Sequence, residues 1–336
     1  MKKPSQQISS ISRNGTMVYL NIKGKQYQFD LKGPKLGRGA MGEVFRGVEI
    51  ATGKPVAIKQ VNPRYARNPE IRQRARQEAR MQFAHPNLVQ MLGFCESPQQ
   101  DRGDLFIVSG LVNGKNIDKF INESIRTLPH PEKRICELFM PVLDALDYLH
   151  EKGILHMDVK PSNIMVEQGR NVRLMDLGIA YLTQQSADGG STSGVMGTPR
   201  YAATEQFNNS ADNDSPQLSR ATDIYEAGVT LYELITRQNP YQAPTVAEAK
   251  KLHQSRSLEK RSVISAPVYQ VVCKATAINP YDRYQSAGEM KSALKKALQE
   301  ADIPWYKKYW WAIAIVAALV ILLVVLLLIL MKSFIL

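Results

Sequence analysis

The chain has 336 residues, enough for two packed lobes with accessory segments, and its 44% hydrophobic and 22% charged content is that of an ordinary globular protein. The net charge of +12 leaves room for solvated Lys/Arg faces or an anionic membrane leaflet, but zinc-finger spacing and base-stacking aromatics are missing, so no nucleic acid partner is expected. Cys95, Cys136 and Cys273 are scattered and odd in number, which argues against a disulfide set or a metal site and for reduced core thiols.

Residues 1–15 are polar and are expected to be flexible. From Met17 to Leu31 apolar residues alternate with polar ones around Lys23-Gly24-Lys25, a hairpin pattern. Gly37, Gly39 and Gly42 follow in a G-x-G-x-x-G spacing, which lets backbone amides approach phosphates. Taken alone this triplet also suits a dinucleotide fold, whose glycine turn opens a helix. Here the glycines run into Val44-Phe45-Arg46-Gly47-Val48, which favours a glycine flap between two strands. Lys59 ends the apolar run Val56-Ala57-Ile58 and needs an anionic partner if buried. An Arg-rich helix is expected from about Pro69 to Phe83, with Glu78 as the carboxylate partner for Lys59. Strands are expected at Leu88 to Phe94 and Leu105 to Val108, and a linker from Ser109 to Gly114.

Beyond the linker the pattern turns helical. Ile135, Leu138, Phe139, Val142, Leu143, Leu146 and Leu149 form a core stripe. Next comes His156-Met157-Asp158-Val159-Lys160-Pro161-Ser162-Asn163. Asp158 can accept a proton from an attacking hydroxyl, Lys160 can neutralise a phosphoryl oxygen, and Asn163 can hold a metal through its amide oxygen. An ordinary polar turn is the alternative, but the flanking Ile154, Leu155, Ile164, Met165 and Val166 suggest a loop gripped between buried elements. Short strands at Ile164 to Val166 and Val172 to Met175 lead to Asp176-Leu177-Gly178. Asp223 opens an apolar, buried helix, and the remainder to Leu298 reads as mostly helical.

Trp310 to Met331 carries no charge over 22 residues. As a helix it would be roughly 33 Å long, enough to cross a bilayer. Lys307 and Lys308 favour a cytoplasmic near side, and Trp305, Tyr306, Tyr309, Trp310 and Trp311 form an interfacial belt. With five residues after Met331, no sensor domain is expected outside. Ala312, Ala314, Ala317 and Ala318 offer a weak packing face for a homodimer.

The ordered set of motifs resembles the protein kinase family over residues 27–298. It comprises the glycine flap, Val56-Ala57-Ile58-Lys59, the His156–Asn163 loop and Asp176-Leu177-Gly178. Gly197-Thr198-Pro199-Arg200-Tyr201, Ala203-Thr204-Glu205, Asp223 and Arg283 complete the order. The wording is most similar to bacterial serine/threonine kinases. The resemblance implies an α+β, bilobal fold: an N-lobe over 27–108, rich in β-structure with one main helix, and a helical C-lobe over 115–298. Residues 1–26 would be a flexible N-terminus with an extra hairpin strand, 299–309 a juxtamembrane linker, 310–331 a transmembrane helix and 332–336 a short tail. The protein would be a single-pass bacterial membrane protein with a cytoplasmic kinase domain, acting on Ser/Thr of protein substrates and autophosphorylating.

The same resemblance implies ATP and Mg²⁺, or Mn²⁺ in its place. Gly37, Gly39 and Gly42 would cover the phosphates, and Leu36, Val44, Ala57, Ser109 and Leu111 would line the nucleotide pocket. Lys59, steadied by Glu78, would hold the α/β-phosphates; Asp158 would orient the substrate hydroxyl and accept its proton; Lys160 would stabilise the γ-phosphoryl group. Asn163 and Asp176 would bind the metal. Glu205 and Arg283 would form a structural ion pair, and Asp223 would brace the catalytic loop. Four departures from the family pattern stand out. Met157 replaces an Arg that meets a phosphate on the activation segment, so activity is expected not to depend on phosphorylation there, with Thr183, Ser186, Ser191, Thr192 and Ser193 as candidate sites. Leu177 replaces Phe. Thr204 replaces Pro, which is expected to loosen the end of that segment. The step from Glu78 to His85 is about two residues short, so Glu78 keeps its partner only if the loss falls after the helix, since two residues turn a helix by roughly 200°. A pseudokinase scaffold that binds nucleotide without turnover is the alternative, but Lys59, Asp158 and Asp176 are all present.

Overall fold

The structure is a computed structural model that describes residues 9–39, 42–69, 72–73, 76, 83–97, 103–176, 198–207, 217–255, 257–301 and 310–335. The N-lobe is an antiparallel sheet of eight strands: β1 (Ser10–Asn14), β2 (Met17–Ile22), β3 (Lys25–Asp30), β4 (Lys35–Gly39), β5 (Gly42–Glu49), β6 (Pro55–Val61), β7 (Met91–Glu96) and β8 (Leu105–Gly110). The order is β1-β2-β3-β5-β6-β8-β7, with β4 also paired to β5 beside β3. The expected hairpin is therefore β2–β3, in register from Met17 opposite Asp30 to Ile22 opposite Lys25. The stretch expected to be flexible is corrected in part: Ser10–Asn14 is a strand, paired from Ser10 opposite Asn21 to Asn14 opposite Met17. Gly15, at φ 58°, makes the turn between the two strands.

These extra strands wrap the outer face of the sheet. Val18, Leu20, Ile22, Tyr27 and Phe29 share one core with Phe45, Val56, Ile58, Phe106 and Val108. The Cys95 thiol on β7 donates to the Ser10 carbonyl at 3.2 Å, and Arg13 pairs with Asp104 at 2.7 Å. A Cβ on Gly93 would lie 2.5 Å from Ile22 Cγ2, so β7 and β2 touch at a glycine. Apolar burial on this scale, at roughly 25 cal/mol per Å², makes the hairpin part of the lobe. Helix α1 (Pro63–Ala66) follows β6. The helix expected from Pro69 to Phe83 falls mostly outside the described residues.

The C-lobe begins with β9 (Gly114–Asn116), which joins β10 (Ile164–Glu167) and β11 (Asn171–Leu174) in a small antiparallel sheet. Among the described residues the helices that follow are α2 (Ile117–Ser124), α3 (Pro131–Glu151), α4 (Arg220–Thr236), α5 (Val246–Ser255), α6 (Ala266–Ala275), α7 (Ala287–Ala301) and α8 (Trp310–Ile335). Pro131 starts α3 at the position where its missing N–H is not needed. Its predicted apolar stripe, from Ile135 to Leu149, is buried throughout. Helix α4 is buried on nearly every side, its few polar side chains included, so it is the central post of the lobe. The two lobes meet where Leu88 bridges Leu174 and the Leu174 amide donates to the Asn87 carbonyl at 2.8 Å.

Helix α8 spans 26 residues. Its side chains are described at 311, 312 and 314–324, and among the residues so described no helix is long and apolar enough to cross a membrane.

Candidate active site

The inner face of the N-lobe sheet is built by strand register. Val44 lies opposite Lys59, Lys59 opposite Ile107, and Ala57 opposite Ser109. Their neighbours Phe45, Ile58 and Val108 point into the outer core, so alternation turns Val44, Ala57, Lys59 and Ser109 to the other face. All four are half-buried, as is Leu111 just past β8, whereas Leu36 on β4 is exposed. The glycine flap is a β4–β5 hairpin and not a strand-to-helix turn, which removes the dinucleotide-fold alternative. Of its glycines, Gly42 is required by the backbone: its φ is 146° and a Cβ would fall 1.9 Å from the Gln60 carbonyl. Around Gly37 and Gly39 no atom lies within 4 Å of where a Cβ would be, among the described residues.

Lys59 reaches across to the C-lobe, with its Nζ 3.1 Å from Asp176 Oδ1. The cation holds the Asp176 carboxyl below the usual carboxylate range. Asp176 itself sits at φ 55°, directly after β11. Its turn is held by the Met175 amide, which donates to the Asn163 carbonyl at 2.8 Å, and by His156 Nε2, 2.9 Å from the Met175 carbonyl. Glu78, the expected partner of Lys59, lies outside the described residues, as do Leu177, Gly178, Gly197 and the five candidate phosphorylation sites. The partner the structure gives Lys59 is Asp176.

Three side chains converge on Asp158. Thr198 Oγ1 donates to its Oδ1 at 2.7 Å, Lys160 Nζ lies 2.7 Å from its Oδ2, and Asn163 Nδ2 donates to its Oδ2 at 2.9 Å. Lys160 also donates to Thr198 Oγ1 at 2.6 Å, which closes a triangle of acid, cation and hydroxyl. The Asp158 carboxylate is thus held by two charge-assisted or bifurcated contacts on one oxygen and a hydroxyl on the other. Oδ1 accepts from the Thr198 hydroxyl and keeps a second lone pair for a further donor.

The donor set fits a hard divalent cation. Asn163 Nδ2 is committed to the Asp158 carbonyl at 2.8 Å and to its carboxylate, so the amide oxygen is turned away from Asp158. Asp176 uses Oδ1 for Lys59, which leaves Oδ2. Among the described residues no cluster of three or more His, Cys, Asp or Glu exists. One carboxylate and one amide oxygen suit Mg²⁺, which keeps several waters and takes substrate phosphate oxygens, better than an all-protein cage.

Comparison with known proteins decides the family. The protein kinase domain matches residues 31–298. The chain belongs to the protein kinase family. It is 31% identical over 276 residues to a probable serine/threonine-protein kinase of Streptomyces coelicolor, covering 79% of this chain and 39% of that protein. It is 33% identical over 272 residues to serine/threonine-protein kinase PknB of Mycobacterium tuberculosis, covering 78% of this chain and 42% of that protein. This chain spans well under half of the length of both relatives. In fold it is similar to the M. tuberculosis PknI kinase domain, with a TM-score of 0.60 at 22% identity over 81% of this chain and 96% of that domain.

The kinase loop is held from behind by one face of α4. Asp223 Oδ2 accepts the His156 amide at 2.8 Å and lies 2.7 Å from His150 Nε2, and Asp223 Oδ1 accepts the Met157 amide at 2.7 Å. Glu226 Oε2 accepts the Val159 amide at 2.7 Å, and Thr230 Oγ1 donates to the Val159 carbonyl at 2.8 Å. Positions 223, 226 and 230 follow i, i+3, i+7, so they share one helix face. Burial pushes the Glu226 carboxyl well above the usual range, and the nearby Asp223 and Asp158 add to that. Met157, at φ 62° and 1% exposed, is a buried residue with no charge to offer.

The expected Glu205–Arg283 ion pair is present and wholly buried, at 2.7 Å. The expected loosening at Thr204 is corrected. Its hydroxyl donates to the Ile278 carbonyl at 2.9 Å and lies 3.4 Å from Arg283 Nη2, so it ties the segment into the ion pair. His253 on α5 adds a second hold, with Nε2 2.9 Å from the Pro199 carbonyl and Nδ1 2.7 Å from the Tyr225 hydroxyl. Thr198 as an Asp158 partner, and Glu226, Thr230, Gln206 and His253, make contacts around the site that motif reading passed over. For Glu226 and Thr230 the signal was there: polar residues at helical spacing from Asp223 in an apolar helix.

Proposed function

We propose that this chain is an active serine/threonine protein kinase that transfers the γ-phosphoryl group of ATP to protein hydroxyls. The observation that carries this is the Asp158–Lys160–Thr198 triangle across the cleft from the Lys59–Asp176 pair. Phosphoryl transfer needs positioning and charge neutralisation more than covalent help. Asp158 orients the substrate hydroxyl and takes its proton; Lys160, released from Asp158 by that proton transfer, faces the developing phosphoryl charge. Lys59 binds the α/β-phosphates, and Gly37, Gly39 and Gly42 cover them with backbone amides. Val44, Ala57, Ser109, Leu36 and Leu111 line the adenine pocket. Asn163 and Asp176 would hold Mg²⁺, which neutralises phosphate oxygens when bound. Both relatives named above are serine/threonine kinases by name, and Lys160 with Thr198 agrees with that branch.

The test is phosphate transfer from labelled ATP by the purified full-length chain in Mg²⁺, to itself and to a generic basic protein. Lys59→Met and Asp158→Asn should each lower transfer by about 100-fold or more. Wild type without transfer in any condition, while still binding ATP, would refute the proposal in favour of a scaffold.

The membrane anchor belongs to the same proposal. Its support is the 22-residue uncharged run in the sequence and the solvent-open apolar side chains of α8, among them Ile315, Val316 and Leu319 to Val324. At ~1.5 Å per residue a helix of this length reaches roughly 39 Å. Deletion of 310–331 should move the kinase from a carbonate-resistant membrane fraction to the soluble one. Wild type that is already soluble would overturn the anchor without touching the kinase assignment.

A further inference from the structure

Glu226 does more than share the brace of Asp223. It is fully buried, and its two oxygens face different parts of the site. Oε2 accepts the amide of Val159, the residue between Asp158 and Lys160, at 2.7 Å. Oε1 accepts Gln206 Nε2 at 2.8 Å. Gln206 is 1% exposed, and its own oxygen accepts the Ala203 amide at 2.5 Å, which fixes which way round its side-chain amide sits. A continuous path of hydrogen bonds therefore runs from the backbone beside the catalytic acid, through one carboxylate and one amide, to the backbone of the Ala203-Thr204-Glu205 segment. That segment also carries the buried ion pair to Arg283. Nothing else among the described contacts links Val159 to Ala203 by side chains.

We propose that Glu226 is a positioning residue that couples the peptide platform around Ala203 to the catalytic loop at Val159, so that the seating of the protein substrate and the aim of Asp158 are set together. The inference rests on the kinase reading above, and it names the joint through which the peptide side of the site is aligned.

The pattern of donors and acceptors makes the joint testable by exchange. Both Glu226 oxygens face donors. In Glu226→Gln, the introduced oxygen still accepts from Val159, but the introduced NH₂ meets the NH₂ of Gln206. If Gln206 turns over to relieve this, it loses the Ala203 amide. In Gln206→Glu, two carboxyl groups face each other across a buried contact. In the double variant Glu226→Gln/Gln206→Glu every partner matches again: the new amide oxygen accepts from Val159, its NH₂ donates to the new carboxylate, and that carboxylate accepts from Ala203.

The experiment measures kcat, KM for a peptide substrate and KM for ATP in the full-length chain, with thermal melting as the control for folding. Each single variant should lose about 10-fold to 100-fold in kcat/KM for peptide, as misplacement of a catalytic group does, while KM for ATP stays within about twofold. The double variant should return to within about threefold of wild type. Single variants as active as wild type would overturn the inference and leave the kinase reading standing. So would equal losses toward ATP and peptide, or a double variant no better than the worse single one. If a single variant does not fold, the double variant decides alone: restored folding with near-wild-type peptide turnover supports the joint, and failure to restore either refutes it. Inactive wild type would instead refute the kinase reading itself.

Discussion

His253 should make this kinase lose stability in mild acid, and its share of the loss should be absent in His253→Phe. The imidazole is 1% exposed and stacks on Tyr241 at 3.9 Å between ring centroids, with Phe207 at 5.3 Å. Its Nε2 faces only a carbonyl oxygen, that of Pro199, so this nitrogen carries the hydrogen; Nδ1 must then accept from the Tyr225 hydroxyl. The ring is therefore neutral, and a second proton would displace the tyrosine bond and place a charge among three aromatic rings. Burial lowers its pKa from 6.5 to about 4. In the unfolded chain the same histidine takes a proton near its ordinary value. Between those two values the unfolded state binds more protons than the folded one, so stability rises with pH across the window. Its contribution is complete above about pH 6.5 and falls away as pH drops toward 4. At about 1.4 kcal/mol per pH unit, the difference amounts to roughly 3 kcal/mol, a large part of a typical domain's stability of about 5–15 kcal/mol. Urea denaturation at several pH values between 7 and about 4 measures it. Wild type should weaken relative to His253→Phe by about that amount, because phenylalanine keeps the stack and does not titrate. Parallel pH profiles for the two proteins would show that the ring is protonated in the native state and that this assignment is wrong.

Three further outcomes follow from the site. Ser109→Met should make wild type and variant differ by at least about tenfold in KM for N6-benzyl-ATP, because Ser109 sits beside Ala57 on the inner face and leaves space that Met fills; equal KM values would count against it. Alanine at Ser191, Thr192 and Ser193 together should leave kcat within about twofold of wild type, because the buried, uncharged Met157 cannot pair with a phosphate; loss of activity that acidic replacements restore would sink that view. Arg283→Met should cost about 3–5 kcal/mol by leaving Glu205 buried without its cation, read as a fall in melting temperature of roughly 10 °C. A shift of only a degree or two would mean that Thr222 satisfies Glu205 by itself.

The parts of this fold that announce themselves in the sequence are those whose signal is local. The β2–β3 hairpin, the glycine flap and the apolar stripe of α3 each follow from residues a few positions apart. Strand β1 escaped notice because only Ile11 breaks its polarity, yet Asn14-Gly15 is a hairpin turn signal and Met17–Ile22 offered it an edge. Lys59, Asp158, Lys160, Asn163 and Asp176 were legible as candidates because phosphate and metal chemistry needs those residue types. The contacts that set their positions were not, since each joins segments tens of residues apart: Thr198 to Asp158, or His253 to Pro199. Thr204 shows the limit most plainly. A missing proline suggests a looser chain, but a hydroxyl in a buried setting finds partners, and here they are the Ile278 carbonyl and the Arg283 guanidinium.

On the proposed function the loop from His156 to Asn163 supplies the chemistry, and helix α4 holds its backbone in place. Asp223, Glu226 and Thr230 hold four backbone groups of the loop, namely three amides and one carbonyl, over the span from His156 to Val159. A backbone held at the N–H of Met157 before Asp158, and at the N–H and C=O of Val159 after it, has little freedom to swing the Asp158 carboxylate. This arrangement also suits a loop with Met157 in it. Where an arginine would let a phosphate on a distant segment pull the loop into place, this chain has a buried apolar side chain at a left-handed backbone position, with its amide fastened to Asp223. The loop is fastened from inside the C-lobe, through α4. Among the described contacts of Asp223, Glu226 and Thr230, that of Glu226 with Gln206 leads on to the Ala203 amide, and on the coupling proposed above substrate seating is the event placed to adjust Asp158.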